Sequence, residues 1–384
     1  MLILNNKLKQ ITNMNKKITA ALLASTALLG SVNVAHSQLT MAGYTELAYI
    51  SGGYKIADGV VRTTTPNGGT GTALTTTNDI GKQIGSQVSL RFTNRHNLAG
   101  PLAGYYAQAM AELRRTGNVW EEKGVTFGPT NNTFVLFMEQ DVVRGNEVSR
   151  NLVPFVGDRS STVIGSGPGL VDILDSSSGV GNYGVHFPDV AGGVLSLSYA
   201  PNMASGVNST TNNSGGLANK GALVTESQSR GSVGYRHSNI KLGLPGTLDV
   251  GLGYMKGSIN RANGQDPKSV SYGLGYRQGP LAVGVQRYKN DNPTAVAGGN
   301  TDTVLGYGLT FAATPQITLG ASLTRQEGTQ AAIKDPDDIT AKHFSASYNM
   351  GPAVVVVDYM LISNANYVVG QDMAPIKARF RVNF

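Results

Sequence analysis

Cysteine is absent from the chain, and tryptophan occurs once in 384 residues. A chain with no thiols can cross an oxidising compartment without mispairing. Charge is also scarce: Asp, Glu, Lys and Arg make up 14% of the residues, against about 25% in an ordinary soluble protein. No basic run, no aromatic-basic interleaving and no zinc-ligand spacing occurs, which argues against nucleic-acid binding. Nor is there a run of about 20 apolar residues, the length a membrane-spanning helix needs.

What is present points to strands. Glycine accounts for 49 residues, nearly twice its usual share of about 7%. Polar uncharged and small residues stand where a helical enzyme would carry Leu, Glu and Lys. The formal charge of +7 is concentrated at the N-terminus, where residues 1–37 hold Lys7, Lys9, Lys16 and Lys17 and no acid. Removing those four from the 31 basic residues leaves 27 against 24 acids. The segment from Met14 has a basic start (Lys16, Lys17), a short apolar core (Ile18 to Gly30) and a small-x-small site at Ala35-His36-Ser37. It reads as an export signal covering 1–37, with Met14 as the effective start. The mature domain is then 38–384.

Period-2 alternation recurs throughout that domain, with no competing helical spacing. In "YGLGYRQ", Tyr272, Leu274 and Tyr276 oppose Gly273, Gly275 and Arg277; in "TVLGYGLTF", Leu305, Tyr307, Leu309 and Phe311 oppose Gly306, Gly308 and Thr310. The apolar faces carry aromatics near strand ends, and the opposite faces hold Gly, Ser, Thr, Asn and Arg. Segments of 9–12 residues suit tilted transmembrane strands and exceed the ~5–6 of soluble sheets.

The spacing predicts sixteen strands, including 85–95, 102–114, 132–140, 145–151 and 181–188, ending with 374–384. Short connections (96–101, 141–144, 189–191, 279, 351) alternate with long ones (51–84, 115–131, 152–180, 201–225). An outer-membrane barrel has this asymmetry, short turns on one side and long loops on the other, whereas a soluble sandwich has no reason for it. The fold class is therefore all-β, a 16-stranded antiparallel transmembrane β-barrel with long external loops. The closing segment "IKARFRVNF" turns Ile376, Ala378, Phe380, Val382 and Phe384 to lipid and Lys377, Arg379 and Arg381 to the lumen. In hydrocarbon every backbone group must be paired, so this strand must close on 39–50.

In order and spacing, "LTMAGYTELAY", "SQVSLRFTNRHNLAGPL", "NEVSRN", "GNYGVHFPDVAGGVLSLSYAPN" and "RFRVNF" resemble the strands of 16-stranded trimeric Gram-negative diffusion porins. That resemblance spans 38–384. It implies a homotrimer in the outer membrane, in contact with lipid and lipopolysaccharide, with Phe384 read by the barrel assembly machinery. It implies that a third loop, 152–180, folds into the barrel. Acids on that loop (Asp158, Asp172, Asp175) would face a basic wall of Arg91, Arg150, Lys377 and Arg379, with Glu46 as the acid of the first strand. Such opposed charges create a transverse field that orients water and polar solutes. Two positions depart from the pattern, with Gln87 and Asn132 where relatives often carry arginine.

The function so implied is passive diffusion of small hydrophilic solutes and ions. A substrate-specific porin and a non-conducting surface or adhesin-type barrel remain the alternatives. No spacing among His96, His186, His237 and His343 builds a nucleophilic triad, so an enzyme is not expected. "GSGPG" (165–169) lacks the Lys-Ser/Thr of a phosphate loop, and no cofactor pattern occurs. "KDPDD" (334–338) reads as a solvated turn rather than a divalent-cation site. Trp120, placed on the second long loop, suits either an interfacial anchor or a contact with a neighbouring subunit.

Overall fold

A computed structural model describes residues 38–55, 79–115, 118–140, 144–156, 181–200, 228–243, 245–259, 266–292, 300–330, 338–364 and 372–384. Sixteen antiparallel strands form one closed barrel: β1 (Gln38–Lys55), β2 (Asp79–Asn97), β3 (Tyr105–Arg115), β4 (Asn118–Pro129), β5 (Val135–Gln140), β6 (Gly181–Val190), β7 (Gly193–Ala200), β8 (Gln228–Ile240), β9 (Thr247–Ile259), β10 (Lys268–Gln278), β11 (Leu281–Asn292), β12 (Asn300–Ala312), β13 (Ile317–Gln330), β14 (Ile339–Asn349), β15 (Ala353–Ser363) and β16 (Asp372–Asn383). Each strand pairs with its sequence neighbours, and β16 pairs with β1 to close the ring. No helix among the described residues is long and apolar enough to cross a membrane.

The seam follows the alternation. Leu47 lies opposite Phe380 on the outside, and Glu46 lies opposite Arg381 on the inside. Past the last ladder pair, the Phe384 amide donates to the Gly43 carbonyl at 3.0 Å, and the Gly43 amide donates to the Phe384 carbonyl at 2.9 Å. The terminal residue thus finishes the ladder with its ring on the outer face. Around the barrel, Leu136, Met138, Leu252, Leu274, Tyr307, Leu309, Phe344 and Val357 are exposed outward. In β10 and β12 the residues between the outward ones, Gly273, Gly275, Gly306, Gly308 and Thr310, are small or polar. An exterior this apolar is stable only against lipid.

Short turns take left-handed residues where φ demands them: Gly279 (φ 53°) between β10 and β11, and Gly351 (φ 86°) between β14 and β15. Only glycine takes such angles without a Cβ penalty. Asn132 (φ 55°) also lies in a turn, between β4 and β5, not at the start of a strand as expected.

Two expectations fail, and they cancel in the count. The segment 115–131, read as a loop, contains β4 and pairs with β3 across a two-residue connection, 116–117. Its alternation is hidden by the consecutive charges Glu121, Glu122 and Lys123, and by a register shift beside Glu112 and Leu113. Trp120 therefore sits on a strand, opposite Leu113. Conversely, 145–151 is not a strand. Gly145–Ser149 forms a 3-10 turn inside the barrel. It begins on Gly145 (φ 57°) and is followed by Asn151 (φ 61°), angles that interrupt an extended run.

Candidate functional site: the barrel lumen

Residues 144–156 form a strap that runs along the inner wall from β7 to β13. It starts where Gly145 donates to Ser196 Oγ (2.9 Å) and Asn146 donates to Ser232 Oγ (3.1 Å). Ser149 Oγ hydrogen-bonds Ser271 Oγ and donates to the Asn146 carbonyl at 2.7 Å. Gln286 grips the strap at two points: its Nε2 donates to the Ser149 carbonyl (3.0 Å), and its Oε1 accepts from the Leu152 amide (3.3 Å). Arg236 Nη1 donates to the Arg150 carbonyl at 2.9 Å. A segment with no backbone ladder of its own thereby satisfies its polar groups from the wall's side chains.

Glycines make this seat possible. A Cβ on Gly251 would lie 2.7 Å from Leu152 Cδ1 and 2.8 Å from the Ser149 carbonyl oxygen. On Gly253 it would lie 2.5 Å from Ser149 Oγ, and on Gly308 2.5 Å from Val153 Cγ1. On Gly234 and Gly284 it would overlap the carbonyl oxygens of Gly145 and Leu152. On Gly320 it would meet Val156 Cγ2 at 2.6 Å. The track crosses β8, β9, β11, β12 and β13. Val148, Leu152, Val153 and Val156 are buried on it. The small inward residues of these strands therefore form a bed for the strap rather than an open wall.

The opposite wall, β14 through β16 and on to β1, β2 and β3, carries the charge. Arg381 donates to Glu46 Oε2 through Nη2 (2.6 Å) and Nε (3.0 Å). Arg379, 3% exposed, donates to Asp358 Oδ2 at 3.0 Å and lies 3.9 Å from Glu46 Oε2. His343 Nε2 is 3.2 Å from Asp358 Oδ1. On β2 and β3, Arg91 donates to Glu112 Oε2 through Nη2 (2.7 Å) and Nε (3.1 Å), and Ser89 Oγ donates to Glu112 Oε1 at 2.6 Å. Arg95 stacks over the Tyr106 ring at 3.7 Å. Near the short-turn end of β8 to β10, Asp249 joins Arg277 (2.9 Å) and Arg236 (3.6 Å).

Each expected site residue among the described ones lies in the lumen. Glu46, Arg379 and Lys377 share the wall of β1 and β16, and Arg91 is on β2 with 45% of its side chain exposed. Arg150 is in the lumen but on the strap, paired with Glu147 at 2.7 Å; it was expected on the wall. Asp158, Asp172 and Asp175 lie outside the described residues, as do Lys334 to Asp337. Asp338 is held by Arg325 at 2.6 Å. The reading of a basic wall overlooked its acids, Asp358 and Glu112, and overlooked the grip of Gln286. One signal was available: in "AVVVVDYML" a lone acid in an apolar run has to face the lumen, in phase with Val354 and Val356.

A closed 16-stranded barrel with an apolar exterior, a charged wall and an inward strap is the fold of the porins. The anion-selective porin from Comamonas acidovorans superposes with a TM-score of 0.55 over 91% of this chain and 100% of its own, at 12% identity. The outer membrane channel DcaP of Acinetobacter baumannii gives 0.58 over 92% and 99%, at 10% identity. A loop-deletion mutant of OmpT, an outer membrane protein of Vibrio cholerae, gives 0.58 over 91% and 99%, also at 10% identity. No family model and no curated protein matches the sequence. The likeness is one of fold.

Proposed function

We propose that the chain forms a water-filled channel in the outer membrane, through which small hydrophilic solutes and ions diffuse passively. The observation that carries this is the division of the interior: the strap occupies one wall, while the opposite wall keeps a charged surface. Arg91, with nearly half its side chain exposed, needs water beside it. A non-conducting surface barrel would need bulky inward side chains on the wall left free by the strap.

The charge pattern argues for weak ion preference. Arg91, Arg379 and Arg381 each face a carboxylate on the same wall, so their fields are largely cancelled within a few ångströms. Asp158, Asp172 and Asp175 would then set the remaining bias from the strap's continuation, which argues against strong anion selectivity. Export behind a signal at 1–37, assembly through Phe384 and a homotrimeric state complete the proposal.

The test is single-channel recording of refolded protein in a planar bilayer under a salt gradient. Ohmic current with a reversal potential near zero is expected, with steps in threes if the unit is a trimer. Folded barrel that inserts and carries no current overturns the channel reading.

A further inference from the structure

On the wall left free by the strap, one arginine differs from its neighbours. Arg91, Arg379 and Arg381 each meet a carboxylate. Arg95 shares the luminal parity of Ser89 and Arg91 on β2, yet no acid pairs with it among the described residues. Its register partner on β3 is Gln108. Along these two strands the nearest described carboxylate is Glu112, which Arg91 and Ser89 already hold. Four residues of strand separate Glu112 from Gln108, about 13 Å. That exceeds the Debye length of about 10 Å at 0.1 M salt, so Glu112 does little to neutralise Arg95.

Arg95 is nonetheless held in place. Its Cζ lies 3.7 Å from the centroid of the Tyr106 ring, and Tyr106 is itself buried. Such a stack fixes the guanidinium and leaves its N–H edge open to a ligand. The surroundings are neutral: Gln108 across the ladder, Thr93 further along β2, and Met110 opposite Thr93. All four of these side chains, Arg95 included, are half-buried. The place is the short-turn mouth of the lumen. β2 ends at Asn97, and the Leu98 amide donates to the Tyr105 carbonyl at 2.8 Å as the chain turns back into β3.

A half-buried cation without a counter-ion is costly, and a bound anion offsets that cost. The guanidinium fork matches a planar carboxylate at two points. One guanidinium among neutral groups suits a single negative charge. A phosphate monoester carries nearly two and is served by clusters of arginines. Met110 gives the site an apolar edge.

We infer that Arg95, held on Tyr106 and flanked by Gln108, binds the carboxylate of small monocarboxylate solutes at the short-turn mouth, with Met110 beside the solute's apolar body. This rests on the channel reading and narrows its solute class. The site occupies one end of the pore, so a carboxylate arriving from the short-turn side meets it before it meets Arg91.

The test reads binding without current. Refolded barrel in lipid nanodiscs is titrated with butyrate and, separately, with butyramide, its neutral analogue, by saturation-transfer NMR, with empty nanodiscs as the blank. Butyrate should bind about tenfold tighter or more, the worth of a hydrogen-bonded charge. Arg95→Gln should abolish that preference, and Arg95→Lys, which keeps the charge and loses the fork, should not restore it in full. Tyr106→Leu should weaken butyrate binding by freeing the guanidinium. Arg277→Gln, at another luminal arginine near the same end, should keep the preference. Equal binding of butyrate and butyramide by the wild type overturns the proposal without needing a variant. So does a full preference in Arg95→Gln or Arg95→Lys, or displacement of butyrate by equimolar chloride or inorganic phosphate. Butyrate preference in a barrel that carries no current would count against the channel and not against this site.

Discussion

The strap's seat on glycine can be tested at Gly251. A Cβ there lies 2.7 Å from Leu152 Cδ1 and 2.8 Å from the Ser149 carbonyl oxygen, inside the 3.4 Å at which ordinary contact begins. The leucine can turn aside; the carbonyl, held by Gln286, cannot. Overpacking of this kind costs about 1–3 kcal/mol. Against it stand the burial of Leu152, worth about 2 kcal/mol, and three hydrogen bonds from Gln286 and Arg236, worth about 1 kcal/mol each. Gly251→Ala should therefore leave the strap seated and loosened by about 1 kcal/mol, whereas Gly251→Val should cost about 3 kcal/mol. Valine favours strands more than glycine does, so the barrel itself should not suffer.

The cysteine-free background gives a clean readout. Val153 is buried against Gly308, so a Val153→Cys thiol reacts with maleimide only when the strap opens. Each 1.4 kcal/mol is a tenfold change in open population. Labelling should accelerate about fivefold with Gly251→Ala and about 100-fold with Gly251→Val. Gly231→Ala, whose nearest neighbour is Tyr199 at 3.8 Å, should leave the rate unchanged. Fast labelling in the unsubstituted strap, or equal rates across the series in folded barrel, would refute the idea that glycines seat it.

Other outcomes follow from the same geometry. Glu46→Gln strips Arg379 and Arg381 of a shared carboxylate, so the reversal potential should move toward anion selectivity, and heat unfolding should come earlier by about 1–3 kcal/mol of stability. Arg91→Ala takes a two-point partner from the buried Glu112 carboxylate, so it should cost about 1–3 kcal/mol of stability, and it should shift permeability the other way in the same recording. Leu309→Arg on the lipid face should cost about 2–4 kcal/mol in urea unfolding from vesicles, if Leu309 lies near the midplane. Its neighbour Thr310→Arg, facing inward, should be tolerated; equal costs would mean the register is wrong. Deleting Phe384 removes the two hydrogen bonds to Gly43 and should slow barrel closure, seen as delayed heat-modifiable mobility.

Alternation by itself determined a great deal. A strand's side chains have period 2, and a barrel in lipid must turn one parity to hydrocarbon, so the faces of β10, β12 and β16 were legible residue by residue. Backbone pairing in lipid required closure, and the seam of β1 with β16 could be named before any coordinates. Parity alone turned Lys377 and Arg379 to the lumen; Glu46 and Arg91 were named through the resemblance to the porins.

Tertiary structure decided the rest. "NEVSRN" resembles a porin strand in sequence, yet the backbone groups of the strap that contains it find partners in Ser196, Ser232, Gln286 and Arg236, residues between 50 and 140 positions away. No local pattern can disclose that competition. The same holds for the glycines of β8 to β13: a sequence shows them as small inward residues, and only the fold brings a strap to lie on them. The carboxylates that neutralise the basic wall come from β3, β15 and β1, and their pairing is fixed by register across strands. What repeats every two residues is written in the chain, because it is a local response to lipid and water. What depends on segments meeting across the lumen is decided by the closed barrel.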